Sequence, residues 1–368
     1  MFCQRMDRVR ALMVGEGVDV LLLSVGADLP YFCGYEAMPL ERLTMLVVPR
    51  EDHARLIVPR LEAPRVVERP DVFEILTWDE TDDPIELARG LIGAASVAAI
   101  GDHTWAGFLV DLMGVLPSVE FRRASELTSP LRQIKDAAEV ESLRAAAAAA
   151  DRVAAALQAG DIPLVGRTEA QVSAELGRRL LAEGHQRVNF AIVAAGANAA
   201  SPHHEPGERV IRPGEVVLCD FGGTLAGTGG VGYCSDITRC VHLGDPPPEL
   251  TDAYEVLFEA QAAQVAASVA GQPCQEVDRV GRAMITEAGF GDNFIHRTGH
   301  GIGTEAHEDP YIVEGNLREL RPGHAFSIEP GIYLPGRWGL RLEDIVVAGV
   351  DAPDNLTTAD HHLALIDA

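Results

Sequence analysis

VVLCD (216–220) and SDITR (235–239) are the two short stretches on which the fold is read. Both have the apolar, β-branched character of a strand, and both carry an aspartate where a buried strand would hold an apolar residue. Asp220 ends the first apolar run. In the second, Asp236 and Thr238 are two residues apart and so share one face of a strand. Further along the chain the pattern recurs. Glu329 follows the apolar start of FSIEPG (326–331), and Arg341 and Glu343 share a face in LRLEDIVV (340–347), with Asp344 pointing the other way. RTGHGIG (297–303) sets His300 between two glycines.

A carboxylate inside a sheet costs several kcal/mol unless it is paired, hydrogen-bonded or bound to metal. Asp220, Asp236, Glu329 and Glu343 cannot all be neutralised by Arg341. Two divalent cations would do it, because they bring about four positive charges to one point. Oxygen-rich ligation with one imidazole suits Mn²⁺ and similar ions, and Zn²⁺ or Co²⁺ less exclusively. Two such ions roughly 3.5–4 Å apart can activate a bridging water for peptide hydrolysis. A single aspartate at a strand end is ordinarily a turn or cap residue. That explanation does not extend to five ligand-type residues in five separate strand or loop contexts.

Composition narrows the remaining choices. The 368 residues suggest two domains, each large enough to bury its own core. Thirty Lys and Arg against 55 Asp and Glu give a formal charge of −25, which repels phosphate backbones and anionic lipid heads and argues against nucleic-acid or membrane-surface binding. The N-terminus MFCQRMDRVR has no apolar segment of a secretory signal, and no charge-free window is long enough to span a bilayer. Six cysteines with no CxxC spacing fit a reduced, cytoplasmic setting rather than a disulfide framework or a cysteine zinc site.

Residues 1–130 read as an alternating α/β unit: a helix over 5–16 stopped by Gly17, strands at 18–25, 43–49, 54–59 and 97–101, and a helix over 84–92. No glycine-rich phosphate loop follows any of these strands. A connection and long helix occupy 131–160, and Thr168 with Gln171 forms a capping box opening a helix over 168–184. From 187 onward the strands carry polar residues at alternate positions, with helices at about 252–270 and 275–288. No internal repeat is evident. Two histidine-bearing loops, SPHHEP (201–206) and HEDPY (307–311), are suited to proton transfer or carbonyl hydrogen bonding. His53, His103, His185, His242, His296, His324, His361 and His362 have no comparable context.

The strings PHHEP, VVLCDFGG, CSDITR, RTGHGIG, AHEDPY, FSIEPGIY and GLRLEDIV resemble, in order, those of the M24 metallopeptidase family of Xaa-Pro dipeptidases (prolidases), aminopeptidase P and methionine aminopeptidase. GVDVLLLS followed by LPYFCGY is similar to the creatinase-type N-terminal domain, and LRQIKDAAEVESLRAA to the family's interdomain helix. The resemblance implies an α/β N-terminal domain over 1–130 and an α+β "pita-bread" catalytic domain over 131–368. It implies two divalent metal ions, Mn²⁺ ahead of Co²⁺ or Zn²⁺, held by Asp220, Asp236, His300, Glu329 and Glu343, with Asp236 and Glu343 bridging. Glu329 would be the general base. His203 would steady the substrate or shuttle a proton, His307 would hydrogen-bond the scissile carbonyl, and Arg341 would fix Glu343. The implied reaction is hydrolysis of a small peptide at the bond before proline by a metal-bridging hydroxide, in a cytoplasmic homodimer.

Two departures stand out. The glycine-rich segment 221–235 is roughly five residues longer than a family hairpin, which puts the register of Asp236 in question. Tyr311 stands where many prolidases carry an arginine expected to bind a dipeptide's carboxylate, and Arg337 is a candidate substitute. Aminopeptidase P action on longer X-Pro peptides is the near alternative to a dipeptidase. A non-peptidase hydrolase or lyase on the same scaffold, and a non-catalytic binding protein, are the more distant ones.

Overall fold

The apolar runs of the first third of the chain become one six-stranded sheet in a computed structural model, which describes residues 1–367. The chain divides into two units, Met1–Arg132 with Gly229–Val231, and Gln133–Thr228 with the chain from Gly232 onward.

In the first unit α1 (Phe2–Glu16) leads into β1 (Val20–Leu23), α2 (Asp28–Cys33), β2 (Met45–Pro49), β3 (Ala54–Pro59) and β4 (Phe73–Trp78). Then come α3 (Pro84–Ile92), β5 (Val97–Ile100), α4 (Ala106–Val115), β6 (Glu120–Arg123) and α5 (Ser125–Arg132). The strand order is β4-β3-β2-β1-β5-β6, with β1–β2 and β2–β3 antiparallel and the other pairs parallel. All of β1 is buried, as expected for a central strand covered on both faces. Gly17 caps α1 in the left-handed conformation, where the sequence places the stop. Asp83 caps α3 by accepting from the N–H groups of Ile85 and Glu86, an interaction worth about 1 kcal/mol.

The second unit opens with α6 (Ala137–Gln158) and α7 (Glu169–Ala182), each begun by a complete capping box, Asp136–Glu139 and Thr168–Gln171. β7 (His185–Ala195), β8 (Val216–Ala226), β9 (Gly232–Cys234) and β10 (Ile237–Leu243) follow, then α8 (Pro248–Ala267) and α9 (Cys274–Glu287). The remaining strands are short: β11 (Gly299–Gly301), β12 (Glu308–Ile312), β13 (Ala325–Ile328), β14 (Gly331–Leu334), β15 (Trp338–Arg341), β16 (Asp344–Val347), β17 (Asp354–Asn355) and β18 (Ala364–Ile366). One sheet runs β18-β10-β8-β7 with β9 on β8, a second runs β12-β11-β13-β16-β17, and β14 and β15 form a separate pair.

Alternation along β8 explains why an aspartate can sit in it. Val217, Cys219 and Phe221 face α6 and α7, packing on Leu157, Val172 and Leu176. Val216 and Leu218 face the other way, onto Leu250 and Leu257 of α8 and Leu340 of β15. Asp220 continues this second row. It lies inside the strand, because β8 runs on to Ala226.

The glycine-rich segment is absorbed without a slip. Pairing keeps one antiparallel register from Val216↔His242 through Asp220↔Thr238 to Ala226↔Gly232. The additional residues lengthen both arms of the hairpin. Asp236 lies in the short break between β9 and β10 rather than inside a strand, and Glu343 lies likewise between β15 and β16.

Candidate metal centre

A cavity of about 710 Å³ in the second unit is lined by all eight residues singled out from the sequence: His203, Asp220, Asp236, His300, His307, Glu329, Arg341 and Glu343. Five elements deliver the acids and the imidazole. Asp220 comes from β8, Asp236 from the approach to β10, His300 from β11, Glu329 from the end of β13 and Glu343 from the bridge to β16. Ligand-type atoms of Asp220, Asp236 and Glu343 all lie within 4.8 Å of one another, as do those of His300, Glu329 and Glu343, and those of Asp236, His300 and His307. Asp236, His300 and Glu343 each belong to two of these groups.

The glycines around His300 are there because backbone passes close on both sides. A Cβ on Gly299 would sit 1.8 Å from the carbonyl oxygen of Ser327, and one on Gly301 would sit 2.1 Å from that of Asp309. His300 Nδ1 lies 3.1 Å from the carbonyl oxygen of Gly301 and so carries its proton. Nε2 therefore faces the acids, 3.2 Å from Glu329 Oε1 and 3.8 Å from Asp236 Oδ2. At Nε2 a proton and a metal ion are alternatives.

The electrostatics are those of a site short of positive charge. Burial, then the neighbouring Glu343, Asp220 and Glu329, push the Asp236 carboxyl well above its usual range. Burial, then Glu329 and Asp220, do the same to Glu343. Burial also raises Asp220, against the pull of Arg341. Burial acts upward on Glu329 too, but the hydrogen bond and charge of His300 outweigh it and hold that carboxyl low.

Arg341 was expected at Glu343. Its Nη2 instead donates to Asp220 Oδ2 at 2.5 Å, its Nη1 to Tyr333 Oη at 2.8 Å and its Nε to Thr238 Oγ1 at 3.1 Å. It reaches Glu343 only through Thr238, whose hydroxyl donates to Glu343 Oε2 at 2.7 Å. The guanidinium lies beside β8, and its planar fork fits the carboxylate there. On the opposite side, fully buried Arg239 pairs with Asp344 at 2.9 Å and donates to the backbone carbonyl of Glu343 at 2.7 Å. Asp344 faces away from the cavity and is further bound by Gln261, Asn355 and His361.

One observation tests whether cations fit. Asp220 Oδ1 is buried and has no hydrogen-bond partner, although its twin oxygen is bound by Arg341. An orphaned carboxylate oxygen aimed among three more acids and an imidazole nitrogen matches the donor set of two hard or borderline divalent ions. The residues fit the group.

Several participants were not identified from sequence. His296 lines the cavity, with Nδ1 donating to the Arg297 carbonyl and Nε2 placed 2.8 Å from Tyr333 Oη. This makes a chain from Arg341 through Tyr333 to His296. His204, beside His203, turns away from the cavity to Glu169 and Asn198. Ser327 Oγ accepts from the His300 N–H and donates to Glu329 Oε1 at 3.1 Å. The strings PHHEP and FSIEPGIY contain His204, Ser327 and Tyr333, and His296 stands just before RTGHGIG, but nothing in spacing separates His203 from His204 or marks a tyrosine as a relay. Arg337 does not substitute for an arginine at 311. It pairs with Glu249 and is not among the cavity-lining residues.

Residues 141–349 match the model of metallopeptidase family M24. The chain belongs to this family. Residues 5–134 match the creatinase/prolidase N-terminal domain that accompanies the M24 region here. Among curated relatives, the M24 chain is 39% identical over 372 residues to the probable dipeptidase PepE of Mycobacterium tuberculosis, covering 99% of this chain and 96% of that one. It is 35% identical over 376 residues to the Xaa-Pro dipeptidase of Lactobacillus helveticus, covering 98% of each. The crystal structure of a prolidase from Thermococcus sibiricus superimposes with a TM-score of 0.92 at 33% identity, covering 100% of this chain and 99% of that one. The fold is thus the creatinase-type α/β domain plus the pita-bread α+β domain expected from the motifs. Divalent metal ions are the cofactors of M24 metallopeptidases, and the cluster of acids and imidazole is a site that could hold them.

Proposed function

We propose that the protein is a metal-dependent Xaa-Pro dipeptidase. Two divalent cations, with Mn²⁺ as the resident ion, would be held by Asp220, Asp236, His300, Glu329 and Glu343, the two shared carboxylates of Asp236 and Glu343 among them. The reading is carried by the gathering of four carboxylates and one bare imidazole nitrogen around the orphaned Asp220 oxygen. When bound, the cations supply a Lewis acid for the scissile carbonyl and acidify the attacking water.

The chain's own groups do the rest. An X–Pro bond is a tertiary amide whose ring nitrogen must gain a proton to leave. Glu329 takes the proton of the attacking water and returns it to that nitrogen. Burial, then His300 and Arg297, push His307 down to about 4, so at neutral pH its ring is uncharged and keeps one N–H to donate to the carbonyl oxygen. His203, exposed at the cavity rim, steadies the substrate. Phe190, Ile192, Pro202 and Ile295 give the cavity the apolar walls a proline ring needs.

We place the N-terminal domain at 1–130 and the catalytic domain at 131–368. The protein works as a homodimer, as the family resemblance implies. A reducing, cytoplasmic compartment is supported by six free cysteines. The deciding experiment is hydrolysis of Ala-Pro and Ala-Pro-Pro after reconstitution with Mn²⁺. Cleavage of Ala-Pro is the expected result. Cleavage of the tripeptide alone would assign aminopeptidase P specificity, and cleavage of neither would overturn the reading.

A further inference from the structure

A dipeptidase must recognise a carboxylate placed one residue beyond the scissile bond, and Tyr311 cannot supply the charge. Two arginines line the cavity, Arg297 and Arg341. Arg341 is fully committed to Asp220, Tyr333 and Thr238. Arg297 is not. No carboxylate lies in ion-pair range of its guanidinium among the described residues. Its neighbours hold it without neutralising it. The guanidinium carbon stands 4.3 Å from the centre of the Tyr311 ring, and Nη2 stands 3.5 Å from His307 Nδ1. In a protein of formal charge −25, an unneutralised arginine on a cavity wall calls for a partner.

Its distance from the reacting atoms suits a carboxylate. The rings of His300 and His307 are 3.8 Å apart, and the Arg297 guanidinium, also on the cavity wall, stands 3.5 Å from His307. In an X-Pro dipeptide the carboxylate hangs on the Cα next to the scissile nitrogen. A peptide whose carbonyl lies at His300 and His307 therefore carries its carboxylate outward toward Arg297. We infer that Arg297 is the anchor for the substrate's C-terminal carboxylate, and that Tyr311 is the stacking platform that positions it. The charge has moved from position 311 to position 297, and the aromatic ring at 311 keeps the planar fork open toward the substrate.

The inference rests on the dipeptidase reading and deepens it. The test compares Ala-Pro with Ala-Pro-amide, which lacks the charge, in the wild-type protein and in Arg297→Met, Arg297→Lys, Tyr311→Leu and Tyr311→Phe. Wild type should favour the acid by about 10- to 100-fold in kcat/KM, mostly through KM. Arg297→Met should bring that ratio close to one with kcat for the amide retained, and Arg297→Lys should recover part of it. Tyr311→Leu should raise KM for the acid, and Tyr311→Phe should not. Arg337→Met, outside the cavity, should match wild type. Calorimetric titration of both ligands into Glu329→Gln reads the same preference without turnover. An acid-to-amide ratio unchanged in Arg297→Met, or absent in wild type, would overturn the inference. If the chain cleaves Ala-Leu but no X-Pro peptide, the dipeptidase reading loses its proline requirement, and the acid-to-amide ratio on Ala-Leu decides Arg297 independently. Failure to bind or cleave any dipeptide acid would overturn both.

Discussion

His204 Nε2 lies 2.8 Å from Oε2 of Glu169, a carboxylate with no exposed surface. The same carboxylate accepts from the N–H of Ala195 at 2.9 Å and from Asn198 Nδ2 at 3.0 and 3.1 Å. Glu169 is the first residue of α7, where the helix dipole favours a negative charge. One buried acid thus ties the end of β7, the turn over 196–200 and the loop that carries His203.

Removing that acid should loosen the loop without touching the acids of the cavity. Glu169→Ala leaves three donors unsatisfied and is expected to cost about 1–3 kcal/mol of stability. It should also lower kcat/KM several-fold through misplacement of His203, with divalent metal content unchanged. Thermal melting, elemental analysis and kinetics on one preparation check all three.

Arg341 serves four partners, Asp220, Tyr333, Thr238 and the Pro202 carbonyl, through a planar fork, so lysine is not an equivalent replacement. Arg341→Lys can reach Asp220 or Tyr333 but not both, and should cost about 2–4 kcal/mol by leaving a buried group unpaired. Added divalent metal should recover part of that loss, because the cations compensate Asp220 directly. Melting temperatures measured with and without Mn²⁺ give the comparison. An equal loss in both conditions would separate Arg341 from the metal centre.

Glu329→Gln keeps the oxygen that Ser327 binds and removes the base. The fold should persist, with a melting temperature within a few degrees of wild type in the absence of metal. Turnover should fall by about 10²- to 10⁴-fold. Near-normal turnover would take Glu329 out of the mechanism.

His324 sets a pH dependence remote from catalysis. It is buried, and its Nδ1 accepts the backbone N–H of Arg321 at 3.1 Å. Burial, then Lys135, Arg318 and Arg321, push its pKa down to about 4. The unfolded chain binds the proton near pH 6.5 and the folded chain does not until about 4. The contribution of His324 to stability is therefore complete above pH 6.5 and is lost progressively as the pH falls to 4. Denaturant melts across that range should show a flatter pH slope in His324→Asn than in wild type.

The carboxylates of the site were legible because they break strand patterns that are otherwise strongly apolar. Asp220 interrupts a β8 row that reads Val216, Leu218, and only a compensating charge explains it. The long helices and the Thr168–Gln171 capping box were legible for the same local reason, while the Asp136–Glu139 box was found only in the structure. What could not be read depends on contacts across the chain. β11 is three residues long and exists because Gly299 and Gly301 admit the backbones of Ser327 and Asp309. The resemblance assigned Arg341 to Glu343, but the sheet brings Asp220 of β8 closer. His296 and Tyr333 are 37 residues apart, and their hydrogen bond has no local signature. The long hairpin after Asp220 looked like a threat to register, yet pairing continues through it because both arms lengthen equally.

The central claim is that buried acids of this cavity coexist because two divalent cations compensate them. Anomalous diffraction at the manganese edge, from crystals grown with Mn²⁺, tests it most directly. Two peaks are expected, enclosed by Asp220, Asp236, His300, Glu329 and Glu343. A cavity without peaks at saturating Mn²⁺, its carboxylates still gathered, would contradict the account.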